Sequence, residues 1–174
     1  QGMEAQYQQY VSELFDYTDC KQAAERFLEY TFSSLREALG KSLPRDEKWF
    51  VAYGEIMSTS LFSLLLVERG ISSAYLAALD FMRIREGEPD MESIKKLLPE
   101  IMTAAGDVKI YITQGYICRN EHGQIDNLRR GGSDYPATII GAALPADEIQ
   151  IWTDIDRVHN NDPRIVKKTS RIDE

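Results

Sequence analysis

Cysteine and histidine are too scarce in this 174-residue chain to build a site on either. Cys20 and Cys118 stand alone, with neither zinc-site spacing nor the density of a disulfide scaffold, a usage that fits free thiols in a reducing cytosol. One of the two histidines, His122, falls in the turn-like run Asn120-Glu121-His122-Gly123 and is expected to be solvated. Positive charge is in deficit: 28 acidic against 20 basic residues leave a net charge of −8 and no basic stripe. That argues against a nucleic-acid partner. It does not exclude a nucleotide, because salt screens charges beyond about 8 Å and a local arginine pair can outweigh a distant acidic surface. Long apolar runs are also missing. The longest, Leu61 to Val67 broken by Ser63, is too short for a membrane span. No signal peptide, internal repeat or low-complexity stretch is visible, and Gln1-Gly2 before Met3 reads as the remnant of a cleavable tag. What remains is a 43% hydrophobic chain able to bury one good core, so a single cytoplasmic domain is expected.

The first third is helical in pattern. Tyr7, Tyr10, Val11, Leu14 and Phe15 recur at helical spacing from Met3 to Phe15. Ala24, Phe27, Leu28, Leu35 and Leu39 mark a second helix from about Asp19, with Gly40 as its stop and Pro44 closing the hairpin. A third should open near Asp46, run to Arg69 and end at Gly70. Gly54 inside it costs about 1 kcal/mol against alanine, which suggests close backbone packing there. Beyond it the pattern alternates. Ser73 to Leu79 reads as a buried strand, Arg83 to Pro89 as a polar loop, and Asp90 as the cap of a helix to about Ala105, bent or ended early by Pro99. Val108, Ile110 and Ile112 make a half-buried strand. A helix from Ser133 to Leu144 and a strand from Glu148 to Thr153 follow. Strands alternating with helices imply an α/β fold, a largely parallel sheet covered by helices on both faces, behind a helical N-terminal part.

Polar chemistry follows the strand-like runs, where α/β folds put their sites. Gly131-Gly132 lets the backbone approach a ligand or take positive φ. Ser133 or Asp134 is a good N-cap, and Pro136 suits the first turn of the helix that follows. Such a helix start attracts anions, and Arg129 and Arg130 immediately before it could grip a carboxylate or phosphate. On spacing alone, a tight turn with two solvated arginines is the favoured reading. Glu55, alone in an apolar helix, could likewise be a solvated side chain or a site residue, and Asp162-Pro163-Arg164 could be an ordinary turn.

Taken in order, Thr113-Gln114-Gly115-Tyr116, Arg130-Gly131-Gly132-Ser133-Asp134-Tyr135, Trp152-Thr153-Asp154 and Asp162-Pro163-Arg164 resemble the catalytic domain of the aspartate kinases, in the amino acid kinase family. Gly54-Glu55-Ile56-Met57-Ser58 and Ala78-Leu79-Asp80-Phe81 resemble them as well. The resemblance runs from about Trp49 to the last residue, and more loosely through the helical start, and four motifs in order make it a strong one. It implies a three-layer α/β sandwich, ATP with Mg2+, and transfer of the γ-phosphoryl group to the side-chain carboxylate of L-aspartate. The product would be 4-phospho-L-aspartate, the first step towards lysine, threonine and methionine. That carboxylate, with a pKa of about 3.9, is already ionised, so the reaction asks mainly for alignment and charge neutralisation.

By this resemblance Arg130 clamps the α-carboxylate of aspartate, and the amides of Gly131 and Gly132 with Ser133 add hydrogen bonds. Asp134 and Glu55 receive the α-ammonium or order the site around it, which puts Asp134 and Arg130 closest to the chemistry. Tyr116 lines the aspartate pocket. Thr153 and Asp154 contact the nucleotide, His159 and Pro163 lie in its loop, and Arg164 reaches the phosphates. No metal ligand is assigned to the protein. Arg129 and Arg157 stand where the family often has glycine, and Pro136 replaces a small hydroxyl residue, so these loops are expected to differ in path. The chain also lacks the family's opening Lys-Phe-Gly-Gly-Thr-Ser segment and stops before its Phe-Gly-Ala-Lys segment and regulatory domains. Residues 3–174 therefore read as a partial catalytic domain, expected to self-associate as a homo-oligomer and to turn over poorly alone. The competing readings are a non-catalytic binding or assembly module and a kinase for another acid, such as glutamate or a nucleoside monophosphate.

Overall fold

The computed structural model describes residues 2–40, 47–128 and 132–152. Three long helices come first: α1 (Met3–Leu14), α2 (Thr18–Gly40) and α3 (Glu47–Glu68). Val11 and Phe15 at the end of α1, Ala24, Leu28 and Phe32 of α2, and Met57 and Leu61 of α3 close into one apolar core. The corner between α1 and α2 is pinned from a distance. Glu68, the last residue of α3, accepts the Asp16 N–H at 3.0 Å and the Tyr17 N–H at 3.3 Å. This is where a carboxylate also meets the positive end of α2.

Gly70 stops α3 as expected. At φ +66° it donates to Val67 O, while Ile71 donates to Leu66 O, the paired bonds of a Schellman cap that a β-carbon would strain. The expected start of α3 at Asp46 and the turn at Pro44 lie outside the described residues. By length and composition α3 could cross a bilayer, which the broken run from Leu61 to Val67 did not suggest. It packs on α2, on the first and last strands named below and on the sheet core, with 22% of that span buried.

The second half alternates as expected: β1 (Ser73–Leu76), α4 (Ala78–Phe81), β2 (Ile84–Arg85), β3 (Glu88–Pro89), α5 (Met91–Ala105), β4 (Ile110–Thr113), β5 (Ile117–Arg119), β6 (Ile125–Asn127) and α6 (Asp134–Ala143). β1 and β4 pair in parallel, with Ser73 opposite Ile110 and Leu76 opposite Thr113, and α4, a hairpin and α5 form the crossover. Two antiparallel pairs, β2–β3 and β5–β6, accompany them. A second core lies under this part, from Ala52 of α3 through Leu76, Phe81, Met82, Ile94 and Leu98 to Ile117, Cys118 and Ile139. Burial pushes the Cys118 thiol up to about 12, helped by nearby Asp126, so it is inert packing rather than a nucleophile.

Four local expectations change. The segment from Arg83 to Pro89 is a hairpin rather than a loop, turned at Glu86 and Gly87, both at positive φ. The strand beginning at Ser73 stops at Leu76 and passes into α4. Pro99 neither ends nor divides α5, because it sits on the exposed side, where water can take the carbonyl it leaves unpaired. Asp90 does cap this helix. Its Oδ1 accepts the Ser93 N–H at 3.2 Å, its Oδ2 accepts the Ser93 hydroxyl and Arg85, and these bonds hold its carboxyl below the usual range. Finally, residues 148–152 form no strand, since no described strand lies alongside them to pair with. Instead Ile149 folds over Gly141 of α6, occupying the space a β-carbon there would need.

Candidate substrate site

The site builds outward from the carboxyl end of β4. Gln114 leaves the strand pointing inward and is 1% exposed, a polar side chain in an apolar setting that must satisfy every hydrogen-bonding group it has. It does so. Its Oε1 accepts the N–H of Ala78 at 2.8 Å, and its Nε2 donates to Thr59 Oγ1 at 2.7 Å and to Tyr75 OH at 2.6 Å. Thr59 in turn donates its hydroxyl to the Glu55 carbonyl at 2.7 Å, one turn back along α3. One amide thus joins β4, β1, α4 and α3.

After Gln114 the backbone turns sharply. Tyr116 sits at φ +64°, a left-handed conformation costing about 1 kcal/mol or more for a residue with a β-carbon, and such strain concentrates at functional sites. Gly115 before it has no room for a side chain. A β-carbon there would lie 2.5 Å from Ser133 Oγ and 2.9 Å from Ser133 Cα. The start of α6 is therefore pressed directly on the β4–β5 turn. The β5–β6 hairpin brings the chain back to the same place, where Leu128 donates its N–H to Tyr116 O at 2.8 Å. Leu128 and Ser133 thus both sit against Gly115-Tyr116.

Ser133 is the N-cap residue of α6, but its hydroxyl makes no capping bond. It faces Gly115 instead, so the expected side-chain cap gives way to contact across the turn. Gly132 takes φ +50°, as its glycine identity suggested, and Asp134 opens the helix in an exposed position beside exposed Ser133. Pro136 is buried in the first turn, so that turn offers fewer amide donors than most. Glu55 is half-buried on α3. Burial alone lifts its carboxyl above the ordinary carboxylate range, and its charge is felt by Tyr7 of α1, whose phenol is raised first by burial, then by Tyr10 and Glu55. Gly54 beside it is open on all sides, so it does not mark close packing.

Of the residues expected in the site, the structure brings Tyr116, Gly132 and Ser133 to one turn with Asp134 opening the helix beside them, and it wires Glu55 towards that turn through Thr59 and Gln114. Arg130, Gly131, Thr153, Asp154, His159, Pro163 and Arg164 lie outside the described residues, as do Arg129, Arg157 and Asp162. Gln114 entered the sequence reading only as part of the Thr113-Gln114-Gly115-Tyr116 motif, with no role of its own, and Thr59 and Tyr75 were not singled out. Thr113 adds a buried hydroxyl with no hydrogen-bond partner among the described residues, at the same strand end. Among the described residues no group of three or more His, Cys, Asp or Glu side chains could hold a metal ion.

Comparison with known proteins sets these features in context. The family model described as the amino acid kinase family matches residues 4–174. Lysine-sensitive aspartokinase 3 of Escherichia coli K12 is 33% identical over 158 residues, covering 88% of this chain and 35% of that protein. Bifunctional aspartokinase/homoserine dehydrogenase 2 of the same organism is 36% identical over 120 residues, 67% of this chain and 15% of that protein. Among solved structures, E. coli aspartokinase III in complex with aspartate and ADP superposes with a TM-score of 0.75 at 32% identity, over 94% of this chain and 37% of that one. Aspartate kinase of Clostridium acetobutylicum, at 17% identity and a TM-score of 0.61, shares the fold. The chain spans about a third of the length of the first of these relatives.

Proposed function

Since the chain belongs to the amino acid kinase family, we propose that it carries the amino-acid-binding and nucleotide-binding part of an enzyme that phosphorylates L-aspartate. In the reaction, a side-chain carboxylate oxygen of aspartate attacks the γ-phosphorus of ATP. The bond to the β-phosphate oxygen breaks, and 4-phospho-L-aspartate and ADP leave. The observation that carries this reading is the meeting of Gly115 and Ser133, which joins the carboxyl end of β4 to the start of α6 in a chain similar to a protein solved with aspartate and ADP.

Each residue has a part in that reading. Arg130 grips the α-carboxylate bidentately, and the Gly131 and Gly132 amides and Ser133 hydroxyl complete the hold. Asp134 and Glu55 face the α-ammonium, and a cation there would offset the burial that raises the Glu55 carboxyl. Tyr116 walls the pocket. Thr153, Asp154, His159 and Pro163 take the adenosine side, and Arg164 the phosphates. Mg2+ would enter with ATP, and its ligands would come largely from phosphate oxygens and water. The protein's own contribution is then to hold two anionic reactants in line and shield their charge. We further propose a cytoplasmic enzyme of amino-acid biosynthesis that binds neither nucleic acid nor membrane and acts as a homo-oligomer.

The test is Arg130→Ala in the full natural chain, followed by coupled ADP release. Losing a bidentate charged pair from a desolvated site should weaken aspartate use by about 2–5 kcal/mol while leaving ATP binding nearly unchanged. An unchanged dependence on aspartate concentration would reject the assignment.

A further inference from the structure

Among the polar residues the reaction does not use directly, one joins more of the site than any other. Gln114 makes hydrogen bonds to three separate elements, accepting from the Ala78 N–H and spending both of its N–H groups on Thr59 Oγ1 and Tyr75 OH. The orientation of its amide is dictated. Ala78 offers only a donor, so the oxygen must face it, and both N–H groups are left for the two hydroxyls. Thr59 has one proton, and it is spent on the Glu55 carbonyl, which leaves the Thr59 oxygen as an acceptor. The result is a directed chain, Gln114 to Thr59 to Glu55, that starts one residue before Gly115 and ends on the backbone of the glutamate.

Glu55 and Thr59 lie four residues apart and so share one face of α3. Position 55 can therefore keep a fixed place for a substrate ammonium only if α3 keeps its rotation and height relative to the end of β4. Apolar contacts alone fix this loosely, because a helix can slide by a fraction of an ångström without losing them. A buried amide with three bonds cannot follow such a slide, since an unmet group there costs about 1–3 kcal/mol.

We propose that Gln114 is a positioning residue that sets the register of the Glu55 turn against the Gly115-Tyr116 loop, and thereby the affinity for the amino-acid substrate. This rests on the reading of the site given above. Gln114 touches neither reactant; it acts through Thr59 and the backbone of α3.

The experiment compares Gln114→Met, Thr59→Val, Glu55→Gln and the double variant Gln114→Met/Glu55→Gln in the full natural chain, measuring KM for L-aspartate and for ATP separately. Methionine keeps the volume of glutamine without its bonds, and valine keeps the shape of threonine without its hydroxyl. Displacing a binding group by a fraction of an ångström should raise KM for aspartate about tenfold in Gln114→Met and several-fold in Thr59→Val, with KM for ATP nearly unchanged. In the double variant the Gln114→Met effect should largely vanish, because the group it positions is gone. If Gln114→Met does not fold, Thr59→Val carries the test alone. A strong Glu55→Gln effect with unchanged aspartate KM in Gln114→Met or Thr59→Val, or with equal losses for both substrates, overturns the role of Gln114. An unchanged aspartate KM in Glu55→Gln rejects the site itself, and this inference with it.

Discussion

Glu55 shows how a single residue can oppose the stability of the fold it serves. Its carboxyl is raised by burial, so the folded state holds the proton more tightly than the unfolded chain does. The sign follows: its contribution is neutral in acid and becomes unfavourable as pH climbs through the ordinary carboxylate range towards the raised folded value. Glu55→Gln should therefore raise Tm relative to the parent at about pH 7 and change it little at about pH 4. The same variant should weaken aspartate binding, the usual exchange of stability for function at a site. Equal Tm differences at the two pH values would mean that the carboxyl is titrating as it would in water.

At the scale of elements, the contact between the β4–β5 turn and α6 decides the shape of the site. Two glycines test this against each other. Gly115 has Ser133 where a β-carbon would go, with backbone atoms among the obstacles, so Gly115→Ala must push α6 away from the turn. That should cost about 1–3 kcal/mol of stability. Gly54 has open space around it in the interior of α3, so Gly54→Ala should stabilise by up to about 1 kcal/mol. Chemical denaturation of both variants checks the pair, and a Gly115→Ala protein as stable as the parent would show that the helix start yields freely.

At the scale of the whole molecule, the described residues form two cores and one helix that serves both. α3 gives Ala52 to the core under the strands and Met57 and Leu61 to the three-helix core. Glu68 at its end holds the corner between α1 and α2. Neither half can lose its structure without stripping one side of α3, so unfolding should be a single transition. Leu28→Ala in the helical core and Leu98→Ala under the strands should each cost about 2–5 kcal/mol and move far- and near-ultraviolet circular dichroism together. A helical core that melts before the sheet core would show that α3 does not couple them.

What the sequence by itself determined was local or carried by motif order. Helical periodicity predicted α1, α2 and α3 to within about two residues at most described ends, and the Asp90 cap and the Gly70 stop depend on neighbours within one turn. The order of motifs pointed to the family and to the turn around Tyr116, Gly132, Ser133 and Asp134. Tertiary structure alone decided the rest. Gln114 finds Ala78 36 residues away and Thr59 55 residues away, and only a folded backbone brings such groups within reach. Ser133 looked like a helix cap because its neighbours invite one, yet packing turned its hydroxyl to Gly115. The apolar residues after Glu148 read as a strand because alternation is a local property, whereas a strand exists only where another offers it a ladder of hydrogen bonds.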